Sequence, residues 1–170
     1  GVGKTTLAQM VYKDAKVREH FQLTSWVHVS EEFDVVRLTR ATIESITKKR
    51  SELVELSPLQ EELECELSGK RFLLVLDDVW SEEQSHWDVF KLPLMAGSKG
   101  SRVLVTTRAE RVSSIMGTTK TMYRLKHLSD GYCWSLFSQY AFRYQSSEAQ
   151  PNLEKIGLQI VAKCGGLPLA

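Results

Sequence analysis

Apolar positions along the chain switch between two periods. Leu7, Met10 and Val11 recur at helical spacing in a stretch from Leu7 to Asp14. A β-branched and aromatic run, Leu23 to Val29, predicts a strand. Asp34 predicts the cap of a helix that carries Val35, Leu38, Thr42 and Ile46 on one face. Lys48-Lys49-Arg50 closes it, cations being favoured at the negative end of the helix dipole. Ser57-Pro58-Leu59-Gln60 reads as a further helix start, with a hydroxyl cap, proline first, and a glutamine that completes a capping box. Leu59, Leu63 and Leu67 then form a core stripe up to Gly69. Phe72 to Leu76 is apolar without a break, the mark of a strand buried on both faces of a parallel sheet. Arg102 to Thr106 predicts another short buried strand after the Gly97 to Ser101 turn. A helix through Val112 and Ile115 and a last short strand, Met122 to Leu125, complete the pattern. Alternating strands and helices predict an α/β fold with a parallel sheet.

From residue 127 onward the strand signals stop. Ser129 caps a helix that carries Trp134, Phe137 and Ala141. A serine-rich break from Gln145 to Gln150 leads through Pro151 to a helix with Leu153, Ile156, Ile160 and Val161, ended by Gly165-Gly166. The expected organisation is an α/β domain over 1–126 and part of a helical subdomain over 127–170.

The chemistry is concentrated at polar residues beside these apolar runs. Gly1-Val2-Gly3-Lys4-Thr5-Thr6 is the back half of the phosphate-binding loop G-x-x-x-x-G-K-[ST]. Glycines there let successive N–H groups converge on anionic oxygens, and the following helix adds the positive end of its dipole. Lys4 suits the β- and γ-phosphates, and the Thr5 hydroxyl suits a Mg²⁺ shell. Such a loop follows a strand, so the first strand of the sheet is expected to be missing and the chain to be part of a longer one. Asp77 emerges from the buried strand at its carboxyl end, where open α/β sheets bind ligands. It is the expected Mg²⁺ carboxylate, with Asp78 beside it to orient or polarise an attacking water. Arg108 ends the next strand, where a guanidinium can tell a triphosphate from a diphosphate. Leu167 and Pro168 offer an apolar wall for a base. Each has a plainer reading: a chance Gly-Lys-Thr, an Asp-Asp turn, a surface salt bridge, a helix terminator.

Composition narrows the partners. The chain is 42% hydrophobic and 25% charged with a net charge of +1, which gives no electrostatic footprint for nucleic acid or an anionic membrane. Its apolar runs are too short for a membrane span. Cys65, Cys133 and Cys164 are odd in number and lack metal-like spacing, as expected of reduced thiols in a cytoplasmic protein. His20, His28, His86 and His127 form no ligand pattern.

Taken in order, Gly1 to Thr6, Phe72 to Trp80 (FLLVLDDVW), Gly100 to Arg108 (GSRVLVTTR), Leu128 to Phe142 and Cys164 to Ala170 (CGGLPLA) resemble consecutive NB-ARC motifs. These belong to plant nucleotide-binding leucine-rich-repeat disease-resistance proteins. Trp80, and Phe21 to Phe33, resemble the coiled-coil (non-TIR) branch. The resemblance implies a P-loop NTPase fold and a slow, switch-type ATPase, held shut with ADP and opened by ATP. It implies phosphate contacts from Gly1, Val2, Gly3, Lys4, Thr5 and Thr6, Mg²⁺ at Thr5 and Asp77, and a hydrolytic role for Asp78. It gives Arg108 a sensor role and places Pro168 at the base. It further implies leucine-rich-repeat and coiled-coil domains as intramolecular partners, and oligomerisation on activation. The competing expectations are an ordinary P-loop ATPase or kinase acting by turnover, and an interaction module that no longer binds nucleotide.

Overall fold

The computed structural model describes residues 1–29, 33–117, 122–142 and 151–168. They form two compact units, one of Thr5–Met122 and one of Tyr123–Ala170 together with Gly1–Lys4. The serine-rich break expected over 145–150 lies outside the described residues, as do Leu169 and Ala170.

The larger unit is built on a parallel sheet of three strands, β1 (Leu23–His28), β2 (Phe72–Val79) and β3 (Arg102–Thr107), in the order β1-β2-β3. The α/β class with a parallel sheet is thereby confirmed. Central β2 is buried on both faces, and its side chains divide by the two-residue period of a strand. Phe72, Leu74 and Leu76 join one core, and Leu73 and Val75 the other. β3 lies at the sheet edge, so the buried strand expected there is only partly buried: Arg102 and Val103 are exposed.

The first core packs helices α3 (Val35–Thr47), α4 (Leu56–Leu67), α5 (Gln84–Leu94) and α6 (Glu110–Met116) on one face of the sheet. Asp34 caps α3 as expected, accepting from the N–H groups of Val36 and Arg37. Thr39 and Thr42, buried on that helix, donate to carbonyls one turn back, which satisfies hydroxyls that would otherwise be costly to bury. Leu59, Leu63 and Leu67 of α4 form the expected buried stripe. Its start differs: α4 begins at Leu56 with Glu55 at the cap position, and no side-chain cap bond forms. Gln60 instead donates to the carbonyl of Val89 on α5, a tertiary contact in place of a capping box. Trp87 and Phe90 anchor α5, a helix the sequence reading left unassigned.

The second core is thinner. α1 (Lys4–Lys13) and α2 (Ala15–His20) cover the opposite face, α2 being capped by Asp14 through Lys16 and Val17. The expected apolar stripe of α1 is turned outward, with Leu7 38%, Met10 67% and Val11 37% exposed. Ala8 and Tyr12 pack toward Leu73, Val75 and Trp26 instead. Thr5, Ala8 and Tyr12 share one helix face at i, i+3 and i+7. The rotation that brings Thr5 to the sheet therefore turns Leu7, Met10 and Val11 away from it.

In the smaller unit, α7 (Asp130–Ala141) begins after Ser129, which makes no side-chain cap bond, and packs with α8 (Pro151–Lys163). Gly157 of α8 is buried, and a Cβ there would stand 2.7 Å from the Trp134 ring, so the two helices meet at a glycine. The strand expected at Met122 to Leu125 does not form; the segment has no ladder partner among the described residues, and Tyr123 is exposed. Cys65, Cys133 and Cys164 are free.

These packing differences give a stability contrast. Phe90→Ala should lower the unfolding free energy by about 3–5 kcal/mol, whereas Met10→Ala should stay within about 0.5 kcal/mol. Urea unfolding followed by fluorescence checks both.

Candidate functional site

The carboxyl ends of β2 and β3 do not keep a regular register. Leu76 stands opposite Val105 and Val79 opposite Thr107, so Asp77 and Asp78 together face the single residue Thr106. Such a bulge re-aims side chains that would otherwise alternate across the sheet. Asp78 takes the extra turn with φ 59°, in the left-handed region that Asp and Asn tolerate best among non-glycine residues. The Thr106 hydroxyl accepts the Asp78 N–H at 2.9 Å and donates to Asp77 Oδ1 at 2.6 Å. Thr107 supports the same corner, donating to the Val79 carbonyl at 2.7 Å and accepting the Ala109 N–H at 3.0 Å.

Asp77 is 5% exposed, and a carboxylate so buried needs hydrogen-bond donors around it. Its second donor comes from α1: Thr5 Oγ1 donates to Asp77 Oδ1 at 2.8 Å. A hydroxyl has one proton and two lone pairs, so Thr5 keeps both lone pairs after this bond. His28 Nδ1 stands 3.8 Å from the other oxygen, Oδ2. Thr5 also lies in the first turn of α1, where backbone N–H groups have no partner within the helix and the dipole is positive. Gly3 precedes that turn with φ 92°, and a Cβ there would meet nothing within 4 Å, so the demand for glycine is conformational.

Asp78 faces a cation. Arg108 Nε lies 3.7 Å from Asp78 Oδ1, and the guanidinium sits 5.1 Å from the centre of the Trp80 ring. The Arg108 side chain is 62% exposed, so this pairing is screened and weak enough to exchange for another anion.

Thr5, Asp77, Asp78 and Arg108 are therefore brought together, with Thr106 as the link between the two acids. Gly1, Val2, Gly3 and Lys4 run directly into Thr5, and Thr6 follows on the exposed side of α1. Pro168 belongs to the smaller unit, half-buried after the Gly165-Gly166 turn. Gly166 has φ 78°, and a Cβ on it would stand 2.7 Å from the Leu128 carbonyl oxygen, so that turn requires glycine. Thr106, Trp80 and His28 were not singled out for the site by sequence. The available signal for Thr106 was a hydroxyl pair breaking an apolar strand at the level of Asp77.

The donor set is oxygen-rich and hard, which fits Mg²⁺. Among the described residues no group of three or more His, Cys, Asp or Glu side chains could hold a metal by itself. An ion at Thr5 and Asp77 would complete its shell with water and with oxygens of a bound anion, as Mg²⁺ commonly does with phosphates.

The bulge sets a stability test. Asp78→Val, β-branched at a positive φ, should cost about 1–3 kcal/mol, while Asp78→Asn should cost much less. Arg108→Ala should cost under about 1 kcal/mol, since its ion pair is exposed. Chemical denaturation of the three variants ranks them.

The sequence matches the NB-ARC domain family over residues 1–147. It is 52% identical over 172 residues to the disease resistance protein RGA2 of Solanum bulbocastanum, a match covering 100% of this chain and 17% of that protein. Disease resistance RPP13-like protein 4 of Arabidopsis thaliana is 36% identical over 171 residues, with 99% of this chain and 20% of that protein covered. For disease resistance protein RPP13 of the same plant the identity is 35% over 175 residues, covering 99% of this chain and 21% of that protein. The chain thus spans about a fifth or less of the length of these relatives. No helix among the described residues is long and apolar enough to cross a membrane. With the family match covering most of its residues and with plant disease resistance proteins similar to it along its whole length, this chain belongs to the NB-ARC domain family.

Proposed function

We propose that this chain is the ATP/ADP-binding switch module of an intracellular plant immune receptor, shut with ADP and open with ATP. The observation that carries this reading is the 2.8 Å bond from Thr5 Oγ1 to Asp77 Oδ1. It joins the residue after the loop lysine to the carboxylate at the end of the central strand, as a phosphate-binding loop and its metal carboxylate require. Gly1, Val2, Gly3 and Thr6 contribute backbone and side-chain donors to the phosphates, and Lys4 a mobile charge for the β- and γ-phosphates. Thr5 and Asp77 are the residues that would hold Mg²⁺, which supplies positive charge to the phosphate oxygens. Pro168 lines the base, and residues 127–170 are part of a helical subdomain.

Arg108 carries the discrimination between the two nucleotides. Its guanidinium is exposed and paired with Asp78 at 3.7 Å. Transferring that guanidinium to a γ-phosphate frees the Asp78 carboxylate to orient water, so triphosphate recognition and slow hydrolysis draw on one ion pair. Moving a two-state latch from 1:99 to 99:1 needs about 5.5 kcal/mol of differential binding. A charge-assisted hydrogen bond supplies roughly 1.5–3 kcal/mol, so two or three contacts to the γ-phosphate suffice. In the whole receptor, leucine-rich-repeat and coiled-coil domains are the proposed intramolecular partners, cytoplasmic location the proposed setting, and oligomerisation the proposed consequence of opening.

Calorimetric titration with ADP and ATP in Mg²⁺ tests this. Lys4→Arg should abolish measurable binding of both nucleotides. Arg108→Ala should leave ADP affinity within about twofold and weaken ATP by about 10–100-fold, the equivalent of one charge-assisted contact. Unchanged ADP affinity in Lys4→Arg would overturn the reading.

A further inference from the structure

Thr106 sits where β2 and β3 lose register, and its hydroxyl touches both acidic residues. Val103, Leu104 and Val105 precede it, and valine in its place would suit the strand equally well by shape and β-propensity. Yet Thr106 is 7% exposed and uses its hydroxyl in both directions, donating at 2.6 Å to Asp77 Oδ1 and accepting at 2.9 Å from the Asp78 N–H.

We propose that Thr106 is a positioning residue for Mg²⁺-dependent nucleotide binding, acting through Asp77 and Asp78; this rests on the nucleotide-switch reading above. Thr5 and Thr106 both donate to Oδ1. A carboxylate oxygen has about two lone-pair sites, so Oδ1 is committed and the carboxylate is held in one rotamer. Oδ2, beside His28, is the oxygen left to serve a cation or its water. The same hydroxyl pins the backbone of Asp78 in its left-handed conformation, which fixes the direction of the carboxylate that meets Arg108. Thr106 touches neither nucleotide nor metal in this role. It orients the groups that do, and partners of this kind typically set metal affinity by 10–100-fold.

Calorimetry of ADP and ATP binding, with and without saturating Mg²⁺, compares the wild-type protein with Thr106→Val and Thr106→Ser. Wild type should bind more tightly with Mg²⁺. Thr106→Val should lose about 10–100-fold of that Mg²⁺-dependent gain, while Mg²⁺-free affinity stays within about twofold. Thr106→Ser, which keeps the hydroxyl, should recover the gain. Thermal unfolding checks that each variant folds, and Thr106→Ala replaces Thr106→Val in the comparison if the latter does not. A full Mg²⁺ gain in the folded hydroxyl-less variant overturns the proposal. So does nucleotide binding by wild type that ignores Mg²⁺, although the nucleotide reading survives that result. Absence of nucleotide binding by wild type overturns both.

Discussion

One buried carboxylate oxygen holds the larger unit's functional end together. Asp77 Oδ1 accepts hydroxyl protons from Thr5 on α1 and from Thr106 on β3, so three elements converge on a single acceptor. Leaving an ionised carboxylate buried without donors costs several kcal/mol, and these hydroxyls offset that cost only in one arrangement. The constraint reaches outward. It goes with the rotation of α1 that puts Ala8 and Tyr12 against the sheet and leaves Leu7, Met10 and Val11 outside. It also accompanies the bulge that lets Asp78 face Arg108.

The two faces of the sheet divide the labour. The core containing α3, α4, α5 and α6 buries Trp87, Phe90 and the leucine stripe of α4, a rigid support for β2. The core under α1 and α2 is small, with Ala8, Leu73 and Val75 as its buried members. A helix held by few buried apolar groups depends more on its polar attachment, and segments of this kind open at lower free energy than the rest of a domain. Thr5 thus sits on the lightly packed helix and Asp77 on the firmly packed central strand, an arrangement that suits the proposed switch.

Much of this was legible in the chain because period and burial coincide. The run Phe72 to Leu76 and the spacing of Leu59, Leu63 and Leu67 each allow one placement, and the structure has it. Asp77, Asp78 and Arg108 were readable because polar residues directly after apolar strands fall at one end of a parallel sheet. The face of α1 was not: Thr5, Ala8 and Tyr12 turn to the sheet although Leu7, Met10 and Val11 are the stronger apolar signal in the sequence. The helix around Trp87 and Phe90 was obscured by Pro93 near its end, and its cap position is taken by Glu83, which makes no side-chain cap bond. The bulge was hidden as well, because register depends on what stands across the ladder: Thr106 acquires its role only when two residues of β2 face one of β3.

The most direct measurement is a double-mutant cycle between Thr5 and Asp77, read as Mg²⁺–ADP affinity by calorimetry for wild type, Thr5→Val, Asp77→Asn and the pair. If the hydroxyl and the carboxylate act as one unit, the double variant should bind hardly worse than the worse single variant, a coupling of about tenfold or more, roughly 1.4 kcal/mol. Losses that simply multiply would show that the two groups act independently, and would contradict the account.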